Sequence, residues 1–212
     1  QPYGNFTEWK ASALLPWLLY DRLAPLCPQM AQTPVTQVHQ TIARAIANLL
    51  KFQNEDGGLP MWQGRGQSNL WVSAHVAMVL RLAEERGHEL PQRAWYNLLA
   101  YLEKADLKHA SPLTCYEVAR ALQNRDAQRD ALKAALASTG DTWWCSGSVR
   151  QDIEFLEYLR TNNDGRHEAF LRWMRSRAAD ERHYSSWRSA WSLYALMTYV
   201  GNSPGAQVNA IL

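Results

Sequence analysis

Trp71-Val72-Ser73-Ala74-His75-Val76-Ala77-Met78-Val79-Leu80 is apolar around most of a helix's circumference. A helix of that kind is buried on every side rather than along one stripe. The pattern returns at Trp187-Arg188-Ser189-Ala190-Trp191-Ser192-Leu193-Tyr194-Ala195-Leu196, sharing Trp-x-Ser-Ala, and a weaker copy runs from Trp144 through Ser148 into Ile153, Phe155, Leu156 and Leu159. The stretches between are one-faced. Val35, Val38, Ile42, Ala45, Ile46, Leu49 and Leu50 recur at three- and four-residue spacing, and so do Trp95, Leu98, Leu99 and Leu102 after Pro91. Buried helices alternating with half-buried ones predict an all-α fold, an α/α toroid of about five helix pairs, each pair burying its face against its neighbours.

Local signals agree with helices. Pro91 suits a first helical turn, Ser111-Pro112 reads as a cap followed by a first-turn proline, and Asp126 is expected to cap a helix carrying Ala127, Ala131, Leu132 and Ala135. Asn163-Asp164-Gly165 punctuates before Phe170, Leu171 and Met174. Two-residue alternation is not sustained anywhere, so the sheet content expected is a hairpin within 54–67. A length of 212 residues is read as one domain over 1–212.

Composition excludes several classes of partner. Hydrophobic residues make up 47% and charged residues 20%, the balance of an ordinary globular chain. A net charge of +2 without a Lys/Arg stripe argues against nucleic acid. The longest apolar run, Ala13 to Tyr20, includes Pro16 and falls short of the roughly 20 residues that span a bilayer, so no membrane insertion by this domain is expected. The chain starts at Gln1 without methionine or a charged leader, which reads as a domain excised from a much larger protein. Cys27, Cys115 and Cys145 have no metal-ligand spacing; they read as small interior hydrophobes, with one disulfide left open. No metal or cofactor is predicted. Asn54 and Asp56 lack the further carboxylates of a calcium loop. The ten tryptophans cluster at the starts of apolar runs, as at Trp62, Trp71, Trp143, Trp144 and Trp187, where an indole buries its body and keeps its N–H wet.

Pro2-Tyr3-Gly4-Asn5-Phe6-Thr7-Glu8-Trp9 resembles a known reactive site whose reactive atoms are gone. In thioester domains of the alpha-2-macroglobulin and complement family, such a lead-in is followed by a cysteine and, three residues on, a glutamine that condense into an internal thioester. The two positions here read Asn5 and Glu8, and neither side chain forms a thiolate that could carry the acyl group. The order continues with a long helix, Phe52-Gln53-Asn54-Glu55-Asp56-Gly57-Gly58, Met61-Trp62 and the Trp-x-Ser-Ala helix. Over nearly its whole length the chain is similar to the thioester domain of bacterial alpha-2-macroglobulins, in particular to paralogues without the thioester. Three departures stand out: family domains are usually longer, the cysteine and glutamine are missing, and the histidine that assists acyl transfer in some relatives has only His109 at a roughly similar distance, with no motif around it to match.

The resemblance implies a periplasmic protein held to the inner membrane by a lipid outside this fragment. Its partners would be other domains of the same parent chain, target proteases and cell-wall synthesis proteins. Binding would be non-covalent, in a protease trap or envelope-defence scaffold, and not enzymatic. The degenerate site would comprise Asn5, Phe6, Thr7 and Glu8, with Tyr3, Trp9, Trp62, Trp71 and Trp187 as a binding rim.

Rival readings use the same residues. Gln53 to Gly57 resembles part of the terpene-cyclase signature, although Leu59 replaces its tryptophan and no Asp-Asp or Asp-x-Asp cluster accompanies it. A polysaccharide-cleaving toroid would need two close carboxylates in a cavity. A glycan-binding module would use the rim tryptophans. Glu8 reads as a first-turn carboxylate favoured by the helix dipole rather than as a catalytic acid, and Asn5 as a helix cap. His75 reads as a buried, hydrogen-bonded side chain before it reads as a base, with no serine or cysteine partner assignable. His183 reads as a loop residue, and Arg172, Arg175, Arg177 and Arg182 as a solvated basic face open to an acidic partner.

Overall fold

The computed structural model describes residues 6–25 and 28–139. The chain divides into two compact units, Gln1–Ala131 and Leu132–Leu212. The described elements belong to the first, with the division falling inside the last helix. In order they are α1 (Thr7–Ser12), α2 (Leu15–Leu18), α3 (Tyr20–Leu23), α4 (Pro28–Ala31), α5 (Val35–Leu50), β1 (Pro60–Trp62), β2 (Arg65–Ser68), α6 (Leu70–Glu85), α7 (Gln92–Glu103), α8 (Pro112–Ala121) and α9 (Arg125–Thr139). The described residues are mostly helical, as the periodicity predicts. The strands pair antiparallel as one hairpin, and it falls where the loop was expected to carry one.

The segment Trp71–Leu80 forms most of α6, with every side chain from Val72 to Leu80 buried. Around it pack α1, α2, β1, α7 and α8. Such burial is worth about 1.5–3 kcal/mol for each Val, Leu or Met side chain, so Val72, Val76, Met78, Val79 and Leu80 anchor the core. The small residues have separate work. Ala74 and Ala77 let neighbours come close, and Ser73 Oγ accepts the N–H of Leu59 at 2.8 Å, which pins the preceding loop. Asn69 caps the helix by accepting from Val72 N at 3.0 Å. Arg81 stacks over the Trp95 ring at 4.9 Å and donates from Nε to Ala121 O at 2.8 Å, tying α6 to α7 and to the end of α8.

The outer helices bury one face each: Val38, Ile42, Ile46, Leu49 and Leu50 on α5, Trp95, Leu98 and Leu102 on α7. Val35, placed on that face by its spacing, is 57% exposed and shares an exposed first turn of α5 with Thr36 and Gln37. Pro91 is the N-cap residue of α7 and not its first helical residue. Ser111 caps α8 by accepting from Thr114 N at 3.1 Å, with Pro112 opening the helix. At α9 the expected cap is displaced: Asn124 Oδ1 accepts from Ala127 N at 3.0 Å, while Asp126 lies inside the first turn and pairs with Arg129. The second and third copies of the repeat, Asn163-Asp164-Gly165, His183 and the arginines at 172–182 lie outside the described residues.

Between α5 and the hairpin the chain turns tightly. Gly57 has φ +88°, and a Cβ there would sit 2.3 Å from the carbonyl oxygen of Asn97 on α7. A Cβ on Gly58 would meet Ser68 and Tyr101 at under 3 Å. Gln53 Nε2 adds bonds to Gly57 O at 2.8 Å and to Ala94 O at 2.9 Å, so the loop is sewn onto α7.

Candidate functional site

The motif Phe6–Trp9 opens α1, a helix of 6 residues with no side-chain cap. It is held from outside by the hairpin. Thr7 Oγ1 donates to Pro60 O at 2.7 Å, Phe6 forms a β-bridge with Trp62, and Lys10 bonds Gln63. Phe6 also meets the rings of Trp9, Trp62 and Trp71 at centroid distances of 6.4, 5.1 and 6.4 Å. Trp9 and Trp62 remain 43% and 41% exposed, Met61 36%, and Trp71 is half-buried. Asn5, Tyr3 and Trp187 lie outside the described residues. The helix that the Asn5 reading would cap has Phe6 as its N-cap residue.

The inner face of α1 is polar. Glu8 and Ser12 stand four residues apart, one helical turn, so both point the same way. Ser12 Oγ donates to Glu8 Oε1 at 2.6 Å, and His75 Nε2 lies 3.0 Å from that hydroxyl and 3.8 Å from Glu8 Oε1. On the other edge of the imidazole, Nδ1 is 3.0 Å from Glu117 Oε1. All four side chains are buried, Glu8 at 2% exposure. The chain of contacts links α1, α6 and α8 through residues far apart in sequence.

Glu8 stands in the first turn of α1, where the dipole favours a carboxylate, and it faces the interior instead of an open mouth. His75 is buried and hydrogen-bonded, as its sequence context predicts, and Ser12 is the serine that spacing did not assign. Only the i,i+4 relation of Glu8 to Ser12 was available as a signal. Ser12, His75 and Glu117 have the order of an acyl-transfer triad, but a buried hydroxyl already donating to a carboxylate offers no approach to an external substrate.

A second feature is an open depression of about 560 Å³ lined by Asp56, Leu70, Tyr101, Lys104, Ala105 and Asp106. Its carboxylates close turns: Asp56 Oδ1 accepts from Ser68 Oγ at 2.6 Å and Gly58 N at 3.0 Å, and Asp106 Oδ1 from Lys108 N at 2.9 Å. Burial, with nearby Asp56, pushes the Tyr101 hydroxyl above its usual range. Cys115 is free and half-buried, and burial raises its thiol pKa, which disfavours the reactive thiolate. Cys27 and Cys145 are outside the described residues. Among the described residues no three His, Cys, Asp or Glu side chains group as metal ligands, and no helix is long and apolar enough to cross a membrane. His109 is exposed on the loop before α8.

No protein-family model matches the chain. Over 103 residues it is 32% identical to an alpha-2-macroglobulin of Pasteurella multocida (strain Pm70), and over 107 residues 31% identical to one of Escherichia coli (strain K12). These matches take in 44% and 48% of this chain but 5% and 6% of the relatives, so the chain spans a small fraction of their length. The fold aligns over 95% of the chain, at a TM-score of 0.69 and 21% identity, with 40% of the crystal structure of native alpha-2-macroglobulin from Escherichia coli spanning domain MG7 to the C-terminus. The chain is thus related in sequence to bacterial alpha-2-macroglobulins and shares the fold of part of the region from domain MG7 onward.

Proposed function

We propose that this chain is the thioester-domain equivalent of a bacterial alpha-2-macroglobulin, folded as an α/α toroid and acting without covalent capture. The observation that carries the reading is the joint similarity in sequence and fold, and the resemblance of Asn5 and Glu8 to the family's cysteine and glutamine positions supports it. Its work is non-enzymatic: docking on other domains of its parent and serving a periplasmic protease trap or envelope-defence scaffold. The parent is anchored to the inner membrane by a lipid, and its partners are target proteases and cell-wall synthesis proteins.

The outward aromatic face of Trp9, Met61 and Trp62 supports the docking role, since clustered exposed apolar side chains mark interaction surfaces. The test is to cleave the full-length protein with a protease and separate the mixture natively and under denaturing conditions. The expected outcome is a protease that comigrates natively, separates on denaturation, and is captured without release of a thiol. A protease that stays attached through denaturation overturns the reading.

A further inference from the structure

The Glu8–Ser12–His75–Glu117 relay contains three buried contacts, of 2.6, 3.0 and 3.0 Å. Each contact needs one proton between its two heavy atoms, and the Ser12 hydroxyl supplies only one. With both carboxylates ionised, Ser12 donates to Glu8, and His75 must carry both ring protons to reach Ser12 and Glu117. With Glu8 protonated, the carboxyl donates to Ser12, Ser12 to Nε2, and the single ring proton on Nδ1 to Glu117. With Glu117 protonated, its carboxyl donates to Nδ1, the ring proton moves to Nε2, and Ser12 again donates to Glu8. Every arrangement that satisfies all three contacts holds three protons. That is one more than a neutral imidazole, a hydroxyl and two carboxylates possess. Whatever else the carboxylates touch, losing that proton sets lone pair against lone pair at one contact, in an interior where water does not screen the repulsion.

We infer that α1 is held on α6 by a proton latch, closed while the relay carries its third proton and loosened when rising pH removes it. The inference does not depend on the trapping role. Among the described residues, Glu8 from α1 and Glu117 from α8 face His75. Lys10 of α1 is engaged with Gln63, and Arg81 of α6 with Glu84 and Ala121 O. Glu85 of α6 pairs with Arg120 of α8, whose other titratable groups are Cys115 and Tyr116. Tyr101 of α7 bonds Ser73, and the other charged or titratable side chains of α7 are exposed. Neither α2 nor β1 carries a titratable side chain. The hairpin still grips Thr7 and Phe6, so release is local to α1.

The valence argument fixes a discriminating variant. In Glu8→Gln the amide donates to Ser12, Ser12 donates to Nε2 and Nδ1–H reaches Glu117, which satisfies the three contacts of the relay with a neutral imidazole. Glu117→Gln does the same from the other end. Hydrogen exchange on the full-length protein, corrected for intrinsic rates across a pH series, reads the latch. Protection of the α1 amides should fall by about tenfold per pH unit from the pH at which the opened relay gives up the proton, and level off where the closed relay gives it up, while α5 holds. Both glutamine variants should abolish that slope, and either suffices if the other fails to fold. Wild-type α1 that tracks α5 at every pH, or a folded glutamine variant with the wild-type slope, overturns the inference.

Discussion

Ser12 is a small residue with a large reach, since its single hydroxyl touches both Glu8 and His75 in the interior. Replacing it with alanine removes two buried contacts at once, and Ser12→Ala should destabilise the fold by about 1–3 kcal/mol in urea unfolding. Titration of His88 acts in the other direction along the pH axis from the relay. Burial, then His39, whose ring lies 5.4 Å away, then Arg86, lower its pKa from the ordinary 6.5. The unfolded chain therefore binds this proton more tightly than the folded one. Its contribution is complete above the unfolded value and lost as pH falls through the folded one. Stability should decline on acidification below that ordinary value, and His88→Gln should flatten the decline. An unchanged profile in the variant would assign the acid sensitivity elsewhere. Neither role was legible from residue spacing, because each depends on a partner brought from a distant helix.

Elements were far more legible, and the reason is that helix periodicity and caps are local. Where the expectation slipped, it slipped by one or two positions among equivalent polar residues, as when Asn124 rather than Asp126 took the cap of α9. That distinction is measurable. Asn124→Ala should cost about 1 kcal/mol and raise exchange in the first turn of α9. Asp126→Ala, which loses an exposed pair with Arg129, should cost only about 0.3–0.5 kcal/mol. The loop before the hairpin makes a sharper demand. Gly57 combines a positive φ with close approach to Asn97 O, so Gly57→Ala should destabilise by about 2–4 kcal/mol and loosen the hairpin from α7. Thermal unfolding that leaves this variant within a few tenths of a kcal/mol of wild type would mean that the loop can shift away from α7 at little cost. The glycine pair and α7 were each visible in the sequence, but the close approach of one to the other was not.

At the scale of the whole molecule, an all-helical fold could be read because an all-round apolar segment such as Trp71–Leu80 has few places to go but the inside. The site could be read only as an outline. Sequence showed Glu8 only in a stretch that resembles a vestigial motif, whereas its inward turn depends on Ser12, His75 and the packing of α6 on α8. The outward side of the same stretch bears on the proposed parent protein. Trp9, Met61 and Trp62 are more exposed than large apolar side chains usually are, and the relatives are chains of which this one spans 5–6%. A surface of that kind gains stability by being covered, at about 25 cal/mol per Å² of apolar area removed from water. Hydroxyl-radical footprinting compares the two states directly. Trp9, Met61 and Trp62 should be oxidised readily in the isolated chain and protected in the full-length protein, while Tyr96, 63% exposed on α7, should react equally in both. Equal oxidation of the tryptophans in both forms would mean that no neighbouring domain covers this face, and its partner would then have to be a separate molecule.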